Sequence, residues 1–219
     1  MAEPTIYKPS IYNGNGVYNN GASGGDTPTP IPDEYKKLLF IKCTTNSGKP
    51  EISGGGMVIN YNDKINLHCY FDSAINGQNY MYFFYTWDFL QRSLKFESSG
   101  QKVFHRWNST TSNEQATNFT SGDLVIEAGA NLNKINGVDY VNNTGTYDAD
   151  KTLGRIFHFA LPQNCMAFSF KVFDNADNLK YNLEPAKRVA DSVLGFYDTI
   201  NNNFIPAITG WTIPGPEVS

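Results

Sequence analysis

Three histidines, three cysteines and scattered carboxylates are the residues of this chain with the chemistry to do catalysis or bind metal. His68, His105 and His158 each sit inside a strand-like run. No H-x-H or H-E-x-x-H spacing joins them, so nothing sets two imidazoles on one face for a metal ion. A structural or surface role is expected for each. Cys43, Cys69 and Cys165 contain no C-x-x-C pair for zinc or redox work. Cys69, within KINLHCYF, reads as a buried thiol, and a reducing place of synthesis is expected.

Carboxylates are no more promising. Cleaving a glycosidic bond needs two carboxyl groups roughly 5 to 10 Å apart. On a strand the economical arrangement is E-x-D-x-E, but Glu97, Glu114 and Glu127 are isolated. There is no G-x-S-x-G elbow, and SGGG at 53–56 precedes a strand, so phosphate binding at a helix N-terminus has no support. FDNADN (173–178) offers Asp174, Asn175, Asp177 and Asn178 as oxygen ligands, yet their spacing is not that of a calcium loop. A hairpin turn is expected there, and likewise at YDADKTLG (147–154). These residues point away from an enzyme and assign no cofactor and no metal.

Aromatic side chains are the remaining candidates. Trp87, Trp107, Tyr80 and Tyr82 lie in or beside strand-like runs, where a ring either fills the core or stacks on the apolar face of a sugar. A second set lies at the front of the chain. Ile6-Tyr7, Ile11-Tyr12 and Val17-Tyr18 recur five or six residues apart among Asn, Gly, Ser and Pro. Gly24-Gly25 and then Pro28, Pro30 and Pro32 make a flexible joint followed by a stiffer piece. Residues 1–33 therefore read as an extended arm that orders against a partner, each pair entering its own pocket. Ile6, Tyr7, Ile11, Tyr12, Val17 and Tyr18 are the docking candidates.

The elements that must position these residues are strands. KLLFIKC, GMVINY, KINLHCYF, NYMYFFYTW, SLKFES, KVFHRW, DLVIEAG, RIFHFAL and MAFSFKVFD follow one another, separated by Gly, Asn and Ser clusters. In KINLHCYF, Ile65, Leu67, Cys69 and Phe71 share one face, the period of a strand buried on one side. Asn62-Asp63 reads as a tight hairpin turn between GMVINY and KINLHCYF. EPAKRVADSVL (184–194), where Pro185 would open a turn or two, is the best helical candidate. The expected fold is all-β: a two-sheet antiparallel jelly-roll sandwich over residues 34–219, preceded by the extended arm.

With 219 residues, 40% of them hydrophobic and 14% aromatic, the chain can build a substantial core. A formal charge of -4 gives no basic face for nucleic acid. No stretch approaches the roughly 18 apolar residues of a membrane span, and no signal peptide is visible at the start. Neither a nucleic-acid nor a membrane partner is expected.

The last segment, LKYNLEPAKRVADSVLGFYDTINNNFIPAITGWTIPGPEVS, resembles a C-terminal signature of concanavalin A-like, or laminin G-like, domains in tailed-phage structural proteins. Pro185, Ala186, Lys187, Arg188 and Asp191 match it, then Gly195, Tyr197, Asp198 and Phe204, then Gly210, Gly215, Pro216 and Val218. Where the family often has Arg-Asp, this chain has Lys180-Tyr181-Asn182. Gly195, Tyr197, Phe204 and Asp198 read as a device that closes the fold, with Asp198 accepting from backbone N–H groups in TINNN. The resemblance implies a structural protein of the virion, a fibre or head-decoration protein in the style of crAss-like phages, made in the host cytoplasm. It implies docking to other virion proteins through residues 1–33 and a homo-oligomer, trimer or dimer. The alternative is a carbohydrate-binding module for cell-surface or mucus glycans; a glycoside hydrolase or lyase stands third.

Overall fold

A computed structural model describes residues 28–43, 50–71, 80–87, 92–97, 102–107, 113–116, 122–140, 150–159 and 165–218. The arm candidates Ile6, Tyr7, Ile11, Tyr12, Val17 and Tyr18 lie outside the described residues. Among those residues there are eighteen strands. The first six are β1 (Tyr35–Lys37), β2 (Ile41–Cys43), β3 (Glu51–Ser53), β4 (Val58–Ile59), β5 (Lys64–Phe71) and β6 (Tyr80–Thr86). Next come β7 (Arg92–Glu97), β8 (Lys102–Trp107), β9 (Asn113–Ala116), β10 (Gly122–Gly129), β11 (Leu132–Ile135) and β12 (Val138–Asp139). The last are β13 (Lys151–Phe159), β14 (Cys165–Phe173), β15 (Leu179–Arg188), β16 (Leu194–Asp198), β17 (Asn203–Thr209) and β18 (Ile213–Pro214).

All pairings between these strands are antiparallel, and the strands join into one large sheet. One run goes β11–β10–β5–β14–β15–β16–β17. From β17 the pairing continues through β3, β13, β6, β7 and β8 to β9. The sheet curls over a single core: Phe157 of β13 meets Phe170 of β14 at 6.3 Å, Phe196 of β16 at 5.9 Å and Trp211 at 6.2 Å between ring centroids. Three of these rings come from strands β13, β14 and β16 and Trp211 from the segment between β17 and β18, so separate parts of the sheet share one core.

Period-two patterning builds the strands. In β5, Ile65, Leu67 and Cys69 are buried, while Asn66, His68 and Tyr70 are half-buried on the other face. In β8, Val103, His105 and Trp107 alternate inward with Lys102, Phe104 and Arg106 outward. All three cysteines are buried thiols. Burial and the nearby Asp123 push the Cys69 thiol well above its ordinary value, so it stays protonated.

Two local expectations are corrected. EPAKRVADSVL is not helical: Glu184–Arg188 completes β15, a turn follows, and β16 begins at Leu194. The strand wins because Leu183 and Ala186 are inside the sheet, bridged to Asp198 and Gly195. The turn at Asn62-Asp63 exists but does not make a hairpin. β4 pairs with β13, whereas β5 pairs with β10 and β14, so the chain turns a corner from one part of the sheet to another. Asp63, only 3% exposed, holds that corner by accepting from the Asn60 N–H at 2.7 Å and from Lys180 Nζ at 2.8 Å. Among the described residues no helix is long and apolar enough to cross a membrane.

Candidate functional site

Strands β6 and β13 lie side by side, and each breaks its alternation at two consecutive buried residues. In β6 these are Phe83 and Phe84, at a register shift against β7. In β13 they are Ile156 and Phe157, and Phe157 has a positive φ of 47°. A bulky residue seldom adopts that conformation, and such strain gathers at functional sites. The breaks are in step: Ile156 is opposite Phe84, and the flanking pairs are Arg155 with Tyr85 and His158 with Tyr82. The four flanking side chains are all half-buried on the outer face.

The result is a compact cluster. Tyr82 and Tyr85 meet edge to face at 5.3 Å, and the His158 ring lies 5.7 Å from Tyr85 and 6.3 Å from Tyr82. Glu51 of β3 joins them: its Oε2 is 3.1 Å from His158 Nδ1 and accepts from Arg155 Nε at 3.3 Å. Arg155 Nη1 also donates to the Gly154 carbonyl at 2.8 Å. On the far side of Tyr82, Lys95 Nζ lies 5.9 Å from the tyrosine ring and 4.1 Å from that of Phe104.

Trp87 completes the cluster. It is 56% exposed, unlike the core rings. Its indole meets Tyr85 edge-on at 6.2 Å, and the Arg155 guanidinium carbon lies 4.5 Å from its ring centroid. Gly154 makes room for it. A Cβ there would stand 2.9 Å from Trp87 Cδ2 and 3.1 Å from Tyr85 Cε2. An exposed indole braced by tyrosine and guanidinium can stack on the C–H face of a sugar ring while neighbouring polar groups bind its hydroxyls.

Of the four rings proposed from sequence, Trp87 and Tyr82 come together here. Tyr80 opens β6, and its side chain lies outside the described residues. Trp107 is wholly buried, donates from Nε1 to the Tyr61 carbonyl at 2.9 Å, and has Arg92 5.3 Å from its ring centroid. Its faces belong to the core, so no sugar reaches it. Sequence reasoning missed Tyr85, Arg155 and Glu51 and gave His158 only a structural or surface role. The detectable signal was the paired inward residues in YFFY and RIFH, which break a period of two while keeping polar or aromatic groups on either side.

The remaining chemical candidates have structural partners. His68 stacks on Phe168 at 4.4 Å beside Asp123, and burial holds its pKa below the ordinary imidazole value in spite of that carboxylate. His105 is buried parallel to Trp107, and burial alone lowers its pKa to about 4. FDNADN forms a turn between β14 and β15, where Asp174 Oδ1 accepts from the N–H groups of Ala176 at 2.8 Å and Asn178 at 2.9 Å. Beside it a cleft of about 400 Å³ is bordered by Asp63, Asp150 and Asp174. Among the described residues no group of three or more His, Cys, Asp or Glu has the geometry to hold a metal ion.

The C-terminal segment is organised around Asp198. Its Oδ1 accepts from the N–H of Asn182 and of Ile200, each at 3.1 Å, and Oδ2 accepts from Asn201 Nδ2 at 2.7 Å. Tyr35 lies 5.0 Å from both Tyr197 and Phe204. Thr29 donates its backbone N–H to the Thr199 carbonyl at 2.9 Å, so the last part of the 1–33 segment is attached here. Gly195 is required by close approach: a Cβ would stand 2.2 Å from the Ile205 carbonyl oxygen. No family model, curated protein or solved structure matches the chain.

Proposed function

We propose that this chain is a displayed attachment protein: a structural component of a phage particle, held by its N-terminal arm, whose body binds saccharide through the face around Trp87. The binding half rests on one observation: Trp87, just after β6, is 56% exposed yet fixed against Tyr85 and Arg155. An apolar ring of that size left in water, with its rotamer held by neighbours, loses little freedom when a sugar stacks on it. The display half rests on the spaced aromatic pairs of residues 6–18 and on the likeness of the C-terminal segment to phage structural domains.

We further propose that the body is a two-sheet jelly-roll sandwich. What supports this is the position of β17, which pairs with β16 on one side and β3 on the other, and the contact of Phe157 with Phe170 and Phe196 across the core. A sandwich of this kind would present β3, β13, β6 and β7 as one outer surface, the surface that carries the cluster.

The test is a glycan array probed with the full chain and with Trp87→Ala. Binding to a defined set of glycans is expected, with at least a tenfold loss in the variant. Thermal midpoints should agree closely, because the ring is mostly in solvent. Absence of any glycan bound by the native chain, or equal binding by the variant, sinks the saccharide reading.

A further inference from the structure

We propose that the saccharide recognised at the Trp87 face is acidic, carrying a carboxylate as a uronic acid does, and that Arg155 receives that carboxylate. The inference rests on the saccharide reading and adds the chemical class of the ligand.

The guanidinium of Arg155 is held before any ligand arrives. Its Nε is anchored on Glu51 and one Nη1 hydrogen on the Gly154 carbonyl, and its carbon sits 4.5 Å from the indole centroid. Among the described residues nothing accepts from Nη2. The second Nη1 hydrogen and the Nη2 group therefore form a fixed pair of donors beside an exposed stacking surface, and the side chain is 20% exposed. A planar carboxylate matches that edge with two parallel charge-assisted hydrogen bonds. A hydroxyl uses only one of them.

A neutral sugar would leave the fork half used, whereas an acidic sugar stacked on Trp87 fills it.

The experiment measures calorimetric binding of the full chain to a panel of galacturonate, glucuronate and mannuronate oligosaccharides, each beside its methyl ester. Matched neutral glycans and sulfated carboxyl-free glycans complete the panel. At least one acid is expected to bind tenfold or more tightly than its ester, and the preference should weaken as salt rises. Arg155→Met should bring acid and ester to equal affinity, and Arg155→Lys should restore only part of the difference. Equal affinity of the native chain for every acid and its ester overturns the carboxylate inference while leaving the saccharide reading intact. So does a sulfated glycan bound in preference to all the acids. Failure to bind any member, acidic or neutral, removes both. The acid–ester comparison uses only the native chain, so the result does not depend on how the Arg155 variants fold.

Discussion

His105 lies parallel to the Trp107 ring at 6.3 Å and is completely buried. Burial lowers its pKa from the ordinary 6.5 to about 4. The sign of the consequence follows from proton counting. Between those two values the unfolded chain holds a proton that the folded chain does not, so stability falls as pH drops through 6.5 and the loss is complete below about 4. That gap corresponds to roughly 3 kcal/mol. Urea midpoints at pH 7.5 and 4.5 should therefore separate widely for the native chain and clearly less for His105→Gln. An identical pH response in the variant would show that other groups carry the effect. The same strand shows why a ring's fate is hard to read from its neighbours in sequence. Trp107 and Trp87 both close strand-like runs, YTW and HRW, yet one is core and the other surface. Inward alternation from Val103 through His105 carries Trp107 inside. The paired break at Phe83-Phe84 and the space above Gly154 leave Trp87 outside.

At the scale of elements, the turn after β16 joins three parts of the chain through one carboxylate. Asp198 is buried and accepts from two backbone N–H groups and one amide side chain, linking β15, β16 and the TINNN turn. Replacing it with Ala leaves buried donors unmet, at roughly 1–3 kcal/mol for each. Asp198→Ala should therefore lower stability by about 2–4 kcal/mol in denaturant titration, and Asp198→Asn, which keeps one acceptor oxygen, by less. Equal and small losses for both would mean that water replaces the carboxylate. This turn was legible in advance, because Asp before a polar stretch has its acceptors within reach of the next N–H groups. Strands such as β5 and β8 were legible for the same local reason, their period of two. The corner at Asn60–Asp63 was not. A turn sequence specifies a change of direction, while the partner of the next strand is decided by contacts with β10 and β14, many residues away. β15 was misread because AKRVADSVL has helix-compatible residues, and only burial of Leu183 and Ala186 against β16 selects the strand. The site was half legible. Trp87 and Tyr82 announce themselves as aromatics, but Glu51 and Arg155 come together across 104 residues of sequence separation, which no local pattern encodes.

For the whole molecule, the proposed attachment role requires the body to be held where the Trp87 face can work. The end of the 1–33 segment and the residues after it are tied to the C-terminal segment: Thr29 donates to the Thr199 carbonyl from its N–H and from Oγ1, and Tyr35 lies against Tyr197 and Phe204. The Trp87 cluster is built on β3, β6 and β13 instead. In the attachment role proposed above, anchoring and recognition would draw on different residues, and they should be separable by mutation. Tyr7→Ser, Tyr12→Ser and Tyr18→Ser in one chain remove three aromatic rings from the arm and no residue of the cluster. The expected outcome is a native thermal midpoint, native glycan binding by the purified chain, and loss of the protein from assembled particles as measured by quantitative mass spectrometry. If the protein is an oligomer, affinity shared over several copies would sharpen that loss, because weakening each arm would multiply across its contacts. Normal occupancy in particles would end the anchoring proposal. A fall in midpoint would instead assign the tyrosines to the body's own packing. Trp87→Ala is the reciprocal variant: it should enter particles at normal occupancy yet deprive them of glycan binding, the pattern required if one chain divides attachment between two ends.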